Sequence, residues 1–288
     1  MSSISEVKSY FDRFRCIPLK ELKDASSILR TFTSDIRRNT LANYLKTEAL
    51  SDDQAGKTRV YVIQDPTTDT IVCFFSIRCG AVYATHEEDD FIRSLDMKGQ
   101  QLLRILEDVR DENIDVYPQM CGQYRSKYAE EGLGDKLIRA VEFKAKQKKD
   151  QTAENCINVE NAHPAIEIQH FCKCDNYILP KELLDLDFPL GFGLFWQKIV
   201  PIIKEVAALI GCEYLFLFAA DKSEDNEKHL VTHYKGAMGF LDAEDLGLTL
   251  VRPDDDKKCI SLVQLIAALD NSCESAWNAR SDIMFEWE

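Results

Sequence analysis

The sequence predicts an α/β (α+β) fold, a central sheet flanked by helices, and three stretches predict it. Residues 164–240 read strand, loop, long helix, strand, helix. Residues 59–77 read as two strands joined by a turn. Residues 1–56 and 85–163 carry apolar side chains at helical spacing. A chain that alternates between periods of two and 3.6 residues builds a layered sheet-and-helix domain.

Taken in order, Val7, Tyr10, Phe11 and Phe14, then Ile28, Leu29 and Phe32, then Leu41, Tyr44 and Leu45 mark two or three helices. Ser51-Asp52-Asp53-Gln54-Ala55-Gly56 reads as a turn. Strands follow at Arg59–Ile63 and Thr70–Ile77, joined by the hairpin loop Asp65-Pro66-Thr67-Thr68-Asp69. After the acidic run Glu87–Asp90, a helix has Phe91, Ile92, Leu95, Leu102, Leu103, Ile105, Leu106 and Val109 as its apolar set. A second spans Asp135–Lys149, and Gln151–Asn161 reads as a loop. Ala165–Cys172 alternates as a strand with one buried face, and a helix from Phe192 to Ile210 contains Pro201, which should kink it. Tyr214–Ala220 is a buried central strand, His229–Met238 a helix and Leu248–Val251 a strand. Ser261–Leu269 reads as a helix with Leu262, Leu265 and Ile266 inward, and the tail ending at Trp287 has aromatics to dock. The expectation is one domain over residues 1–288, with 85–163 as a helical insertion between the third and fourth core strands.

Composition excludes several functions. Net charge −14 and pI near 4.9 argue against general affinity for nucleic acid or an anionic membrane. Lys204 and Glu205 interrupt the best apolar run, so no membrane span is expected. Ten scattered cysteines and no signal-peptide pattern suggest reduced thiols and a cytoplasmic location. The insertion's apolar faces need cover from the core or from a second subunit, which leaves a homodimer open.

The segment Pro189-Leu190-Gly191-Phe192-Gly193-Leu194 places two glycines at a helix start. Unobstructed N–H groups and the helix dipole favour a phosphate there. With Tyr234 ahead of Gly239-Phe240, this order resembles the core of the GNAT (Gcn5-related) N-acetyltransferases. Residues 44–77 are similar to the N-terminal half of the GNAT enzymes found as bacterial toxins. The resemblance covers about residues 25–84 and 164–252. Phe188 stands where the family usually has Gln or Arg.

The resemblance implies a mixed, mostly antiparallel sheet of the GNAT type, with acetyl-CoA as cosubstrate and direct acetyl transfer to a primary amine of a small molecule or peptide. Aminoacyl-tRNA is the alternative acceptor, which makes tRNA the one nucleic acid to consider. A non-catalytic acyl-CoA-binding module is the other class of reading. Leu190, Gly191, Phe192, Gly193 and Leu194 would hold the pyrophosphate, and the main chain of Phe171, Cys172 and Lys173 the pantetheine arm. Tyr234 would protonate the leaving thiolate, a task that suits a phenol with pKa about 10. Glu167, Gln169 or His170 would serve as base through water. Glu87–Asp90 would attract a cationic amine, and the insertion would wall the acceptor pocket. A metal is not expected: His170, Cys172 and Cys174 share a strand face, but positions two apart lie about 6.8 Å apart, too far for one tetrahedral ion.

Overall fold

The computed structural model describes residues 4–34, 40–84, 86–150, 161–184, 188–219, 229–251 and 259–285. In chain order the elements are α1 (Ile4–Asp12), β1 (Arg15–Pro18), α2 (Ala25–Arg30), α3 (Thr40–Thr47), α4 (Ala49–Gln54), β2 (Arg59–Asp65) and β3 (Thr70–Ala84). Next come α5 (Glu87–Ser94), α6 (Met97–Glu112), α7 (Tyr117–Lys127), α8 (Leu133–Asp150), β4 (Asn161–Lys173) and α9 (Lys181–Leu184). The chain continues through α10 (Leu190–Leu194), α11 (Val200–Ile210), β5 (Tyr214–Ala219), α12 (His229–Met238), β6 (Leu241–Asp242), β7 (Leu248–Thr249), β8 (Ile260–Leu265) and α13 (Leu269–Phe285). Strands run β1-β2-β3-β4-β5-β8-β6, with β7 on the end of β3. The pairs β1–β2, β2–β3, β3–β7, β5–β8 and β6–β8 are antiparallel, and β4–β5 is parallel. The sheet is thus mixed and mostly antiparallel.

One compact unit comprises residues 1–82, 163–246 and 250–288. Two hydrophobic clusters build it. In the larger, Phe11, Phe14, Ile166, Phe188, Phe192, Phe195, Ile199, Ile203, Phe240 and Trp277 are buried. The smaller gathers Leu29, Phe32 and Leu45 with Val60, Val62, Phe74, Cys172 and Cys174. β4 and β5 are covered on both sides, so Ala165 to Ile168 are buried consecutively rather than alternately. Pro201, which lacks an N–H, falls in the first turn of α11, and a π-helical turn, Phe195–Ile199, runs up to that helix. The glycines at 211 and 239 end their helices in the left-handed region (φ +73 each), where a Cβ is disfavoured.

A second unit comprises residues 83–162 with 247–249. Its core is Leu103, Leu106, Tyr117, Cys121, Tyr124, Leu137, Ile138 and Val141. Among the described residues four helices stand here where two were expected. The long helical pattern from Phe91 breaks because Asp96 caps α6, accepting a bond from the Gly99 amide at 2.7 Å. The whole of α7 carries no strong apolar stripe and escaped the periodicity. Glu87 and Glu88 line a cavity of about 180 Å³ with Lys136 and Arg139. Their charge therefore shares that cavity with two of the chain's own cations. The side chains of Asp89 and Asp90, and residues 151–160 of the expected loop, lie outside the described residues.

Three expectations are corrected in the first unit. Ser51–Gln54 belongs to α4 rather than to a turn. β1 had no sequence signal; it pairs Arg15–Pro18 with Tyr61–Gln64. Residues 260–265 are strand β8 and not a helix, with Leu265 exposed. Six apolar and polar residues in a row fit either period, and β5 decided the outcome: its second edge needs a ladder, which β8 supplies from Tyr214↔Leu265 to Ala219↔Ile260. Residues 286–288 of the expected docking tail lie outside the described residues, and α13 runs to Phe285.

Candidate active site

β4 and β5 are joined by a short parallel ladder: Ala165↔Tyr214, Ile166↔Leu215 and Glu167↔Phe216. Both strands run on beyond it, β4 to Lys173 and β5 to Ala219. A wedge opens where the ladder stops. The Cys174 amide donates to the Val72 carbonyl of β3 at 2.8 Å. By alternation the main-chain groups of Phe171 and Lys173 point to the other edge, into the wedge, and those of Cys172 point to β3. Cys172 thus leaves the expected main-chain set, and its side chain is buried in the smaller cluster.

The Gly-x-Gly segment forms the first turn of a helix rather than a loop before it. Pro189 is the N-cap and supplies no side-chain acceptor. The amides of Phe192 and Gly193 donate to the Pro189 carbonyl, at 3.1 and 3.4 Å. Those of Leu190 and Gly191 stand ahead of the first intrahelical bond, where a helix offers its donors outward. The two glycines have different reasons. A Cβ at Gly191 would meet only the Phe171 ring, at 3.8 Å, so Gly191 and the wedge strand are in contact. A Cβ at Gly193 would lie 2.2 Å from the Phe11 ring of α1. Gly193 is therefore glycine for packing. Behind this turn Trp277 stacks on Phe188 (centroids 5.6 Å) and meets Phe192 edge-on (5.0 Å). Phe188 is thereby a packing residue, where the family's Gln or Arg would be polar.

Glu167 and His170 do not converge. Glu167 is buried and forked on Arg78, Nε at 2.7 Å and Nη2 at 3.2 Å. Both of its oxygens are thus taken up by the guanidinium. His170 faces the smaller cluster, stacked on Tyr44 at 4.2 Å with its Nδ1 2.8 Å from the Ser76 hydroxyl. Burial, with Asp52 and Glu48 nearby, pushes the Tyr44 phenol up to about 12. Ser76 is fully buried, so the pair is a tether and not a nucleophile with its base. None of Arg78, Ser76 or Tyr44 could be read from local sequence as a partner of β4.

Tyr234 lies on α12 in the larger cluster, edge-on to Phe240 and 6.2 Å from the His233 ring. The Phe240 amide donates back to the Tyr234 carbonyl at 3.2 Å, closing the helix through Gly239. Trp196 on the π turn holds this helix by an Nε1 bond to Ala237 O, 3.1 Å. His233 was not singled out in the sequence. Burial first, and then Arg280, lower its pKa and keep it neutral near pH 7. Among the described residues no three His, Cys, Asp or Glu side chains are grouped to hold a metal ion.

A polar clasp fixes the loop between β4 and the glycine turn. Tyr177 donates to Asp65 Oδ2 at 2.8 Å and meets the Tyr10 hydroxyl at 2.9 Å, and Arg13 reaches Asp65 at 3.1 Å. Burial raises the Asp65 carboxyl, but bonds from Thr67, Tyr177 and Arg13 outweigh it and hold its pKa below the usual range. A carboxyl depressed on folding adds stability above its unfolded pKa, about 3.9, and loses it as pH falls through the folded value. Tyr177→Phe should cost about 1.5–3 kcal/mol at pH 7, as a lost bond to a charge. The cost should shrink as pH falls from 7 to an acid pH beneath the lowered folded value of Asp65, where the carboxyl is protonated in both proteins. Urea unfolding at the two pH values checks this; an equal loss at both would mean packing alone.

No family model matches the chain, and no curated protein does. Among solved structures, a tyrosine-to-phenylalanine mutant of the AtaT toxin is similar over 90% of this chain and 93% of its own, with 11% identity and TM-score 0.44. AtaTR bound with AcCoA gives 13% identity over 90% and 98%, TM-score 0.43. AtaT complexed with acetyl-methionyl-tRNAfMet gives 12% over 90% and 98%, TM-score 0.42. Likeness at this level assigns this chain neither a family nor an activity.

Proposed function

We propose that this chain is an acyl-CoA-dependent N-acetyltransferase of the GNAT type, using acetyl-CoA as cosubstrate and a primary amine as acceptor. The observation that carries this reading is the parallel β4–β5 pair whose ladder stops at Glu167↔Phe216 while both strands continue. An extended pantetheine arm can lie in that wedge and pair with the free main-chain edge at Phe171 and Lys173. The pyrophosphate then falls at the helix start, on the amides of Leu190 and Gly191. Transfer needs an orienting site, a proton acceptor for the ammonium and a donor for the thiolate. Tyr234 is the donor in this reading. Neutral His233 suits the acceptor role better than Glu167, which Arg78 holds.

Two acceptor classes remain within the reading. The first is a small or peptide amine, favoured by net charge −14, which repels a polyanion. The second is aminoacyl-tRNA, favoured by the likeness of residues 44–77 to the toxin enzymes. Thiol release from acetyl-CoA, followed with a panel of amines and with charged tRNA, tests both. Release with neither would leave an acyl-CoA-binding module. Gly191→Glu should weaken CoA binding at least tenfold by setting a carboxylate against the pyrophosphate, and calorimetry reads this directly. Unchanged affinity would remove the turn from the site.

A further inference from the structure

The molecule has a second cavity that the acyl-transfer reading does not use. It holds about 470 Å³ between β2, β3, the start of β4 and the end of α11. Sites for small ligands have about this size and combine apolar walls with a few convergent polar groups. Here Tyr61, Ile77, Ile166, Val206 and Ile210 form the walls. Lys57, Arg59 and Arg78 supply the charge. Ile166 stands five residues before Phe171, roughly 16 Å along β4 at the usual rise per residue. The cavity thus lies beside the paired part of β4, apart from Phe171 and Lys173 where the arm of CoA would pair.

Its charge is unusual for this protein. The chain carries −14, yet among the described residues three cations and no carboxylate line the cavity. Each cation has an acidic partner outside the lining: Asp52 for Lys57, Asp53 for Arg59 and Glu167 for Arg78. Asp53 and Glu167 are buried, so these pairs hold the two guanidinium groups in place and leave further N–H donors on each. Arg59 and Arg78 keep side-chain exposures of 39% and 37%. Fixed guanidinium donors above an apolar floor match an oxyanion head on an apolar body.

We propose that this cavity is a binding site for a small amphipathic anion, an aliphatic or aromatic group bearing a carboxylate or a phosphate, separate from the acyl-CoA site. Octanoate, octyl phosphate and octanol are the probes, titrated into the full-length chain by calorimetry. Either anion should bind at least tenfold more tightly than octanol, and the stronger of the two identifies the head group. Ile210 is 53% exposed at the rim, so Ile210→Glu should fold and cut anion binding at least tenfold. Lys57→Glu, at an exposed ion pair, is a second probe of the same charge and should also weaken it. CoA affinity should stay unchanged in both variants. The proposal is overturned if neither anion binds below millimolar concentration, if octanol binds as well as they do, or if both variants bind the anions as the parent does.

Discussion

Tyr234→Phe should fold, bind CoA normally and lose turnover on the order of a hundredfold, the usual loss when one general acid is removed. Tyr234 is nearly buried, edge-on to Phe240, so Phe fills the same space and leaves the core intact. A drop in turnover at constant CoA affinity therefore reports chemistry and not folding. Parent-like turnover would make Tyr234 a packing residue. A parallel loss of CoA affinity and thermal stability would say the same. His233→Gln separates the neighbouring role. If the neutral imidazole takes the ammonium proton, turnover should fall and the acidic limb of the rate profile should disappear with it. That limb should lie below the ordinary histidine pKa of about 6.5, because burial and Arg280 lower His233.

The second large effect belongs to Phe11 and Gly193. Phe11→Ala should cost about 3–5 kcal/mol, as a fully buried aromatic truncated in a close-packed cluster. Gly193→Ala should cost about 1–3 kcal/mol by overpacking, since its methyl would overlap the Phe11 ring. The two costs should not add. With Phe11 already reduced to Ala, the Gly193→Ala methyl enters vacated space, and the second substitution should be nearly neutral. Denaturant unfolding of the four proteins of this cycle measures the coupling. Additive losses would mean that Phe11 does not dictate glycine here. Gly191→Ala is the internal control: its Cβ meets only an ordinary contact with Phe171, so folding should be unaffected.

Much of the fold was legible because it is local. The β2–β3 hairpin follows from alternating Val60 and Val62 and from the Asp65 turn, where Asp65 Oδ1 accepts the Thr67 amide at 2.9 Å. α12 runs from His229 to Met238, the bounds its pattern predicted. β5 was equally plain. The site was legible only in part. Glycines at 191 and 193 can be seen in a sequence, but not that one touches the wedge strand and the other makes room for Phe11.

What the sequence determined by itself is the strand–helix–strand–helix order of residues 164–240, the hairpin, the helix ends at Gly211 and Gly239 and the acidic balance. Each depends on neighbours within a few residues, whose spacing sets a period or a turn. Tertiary structure alone decided that residues 260–265 are a strand, that Glu167 is held by Arg78 and that His170 faces Tyr44. These outcomes are set by partners far along the chain: Glu167 and Arg78 are 89 residues apart and His170 and Ser76 are 94. A short apolar run fits either period, and a lone Glu or His fits many roles. The open ladder edge of β5 and the guanidinium beside Glu167 choose among them by satisfying groups that burial would otherwise leave unpaired.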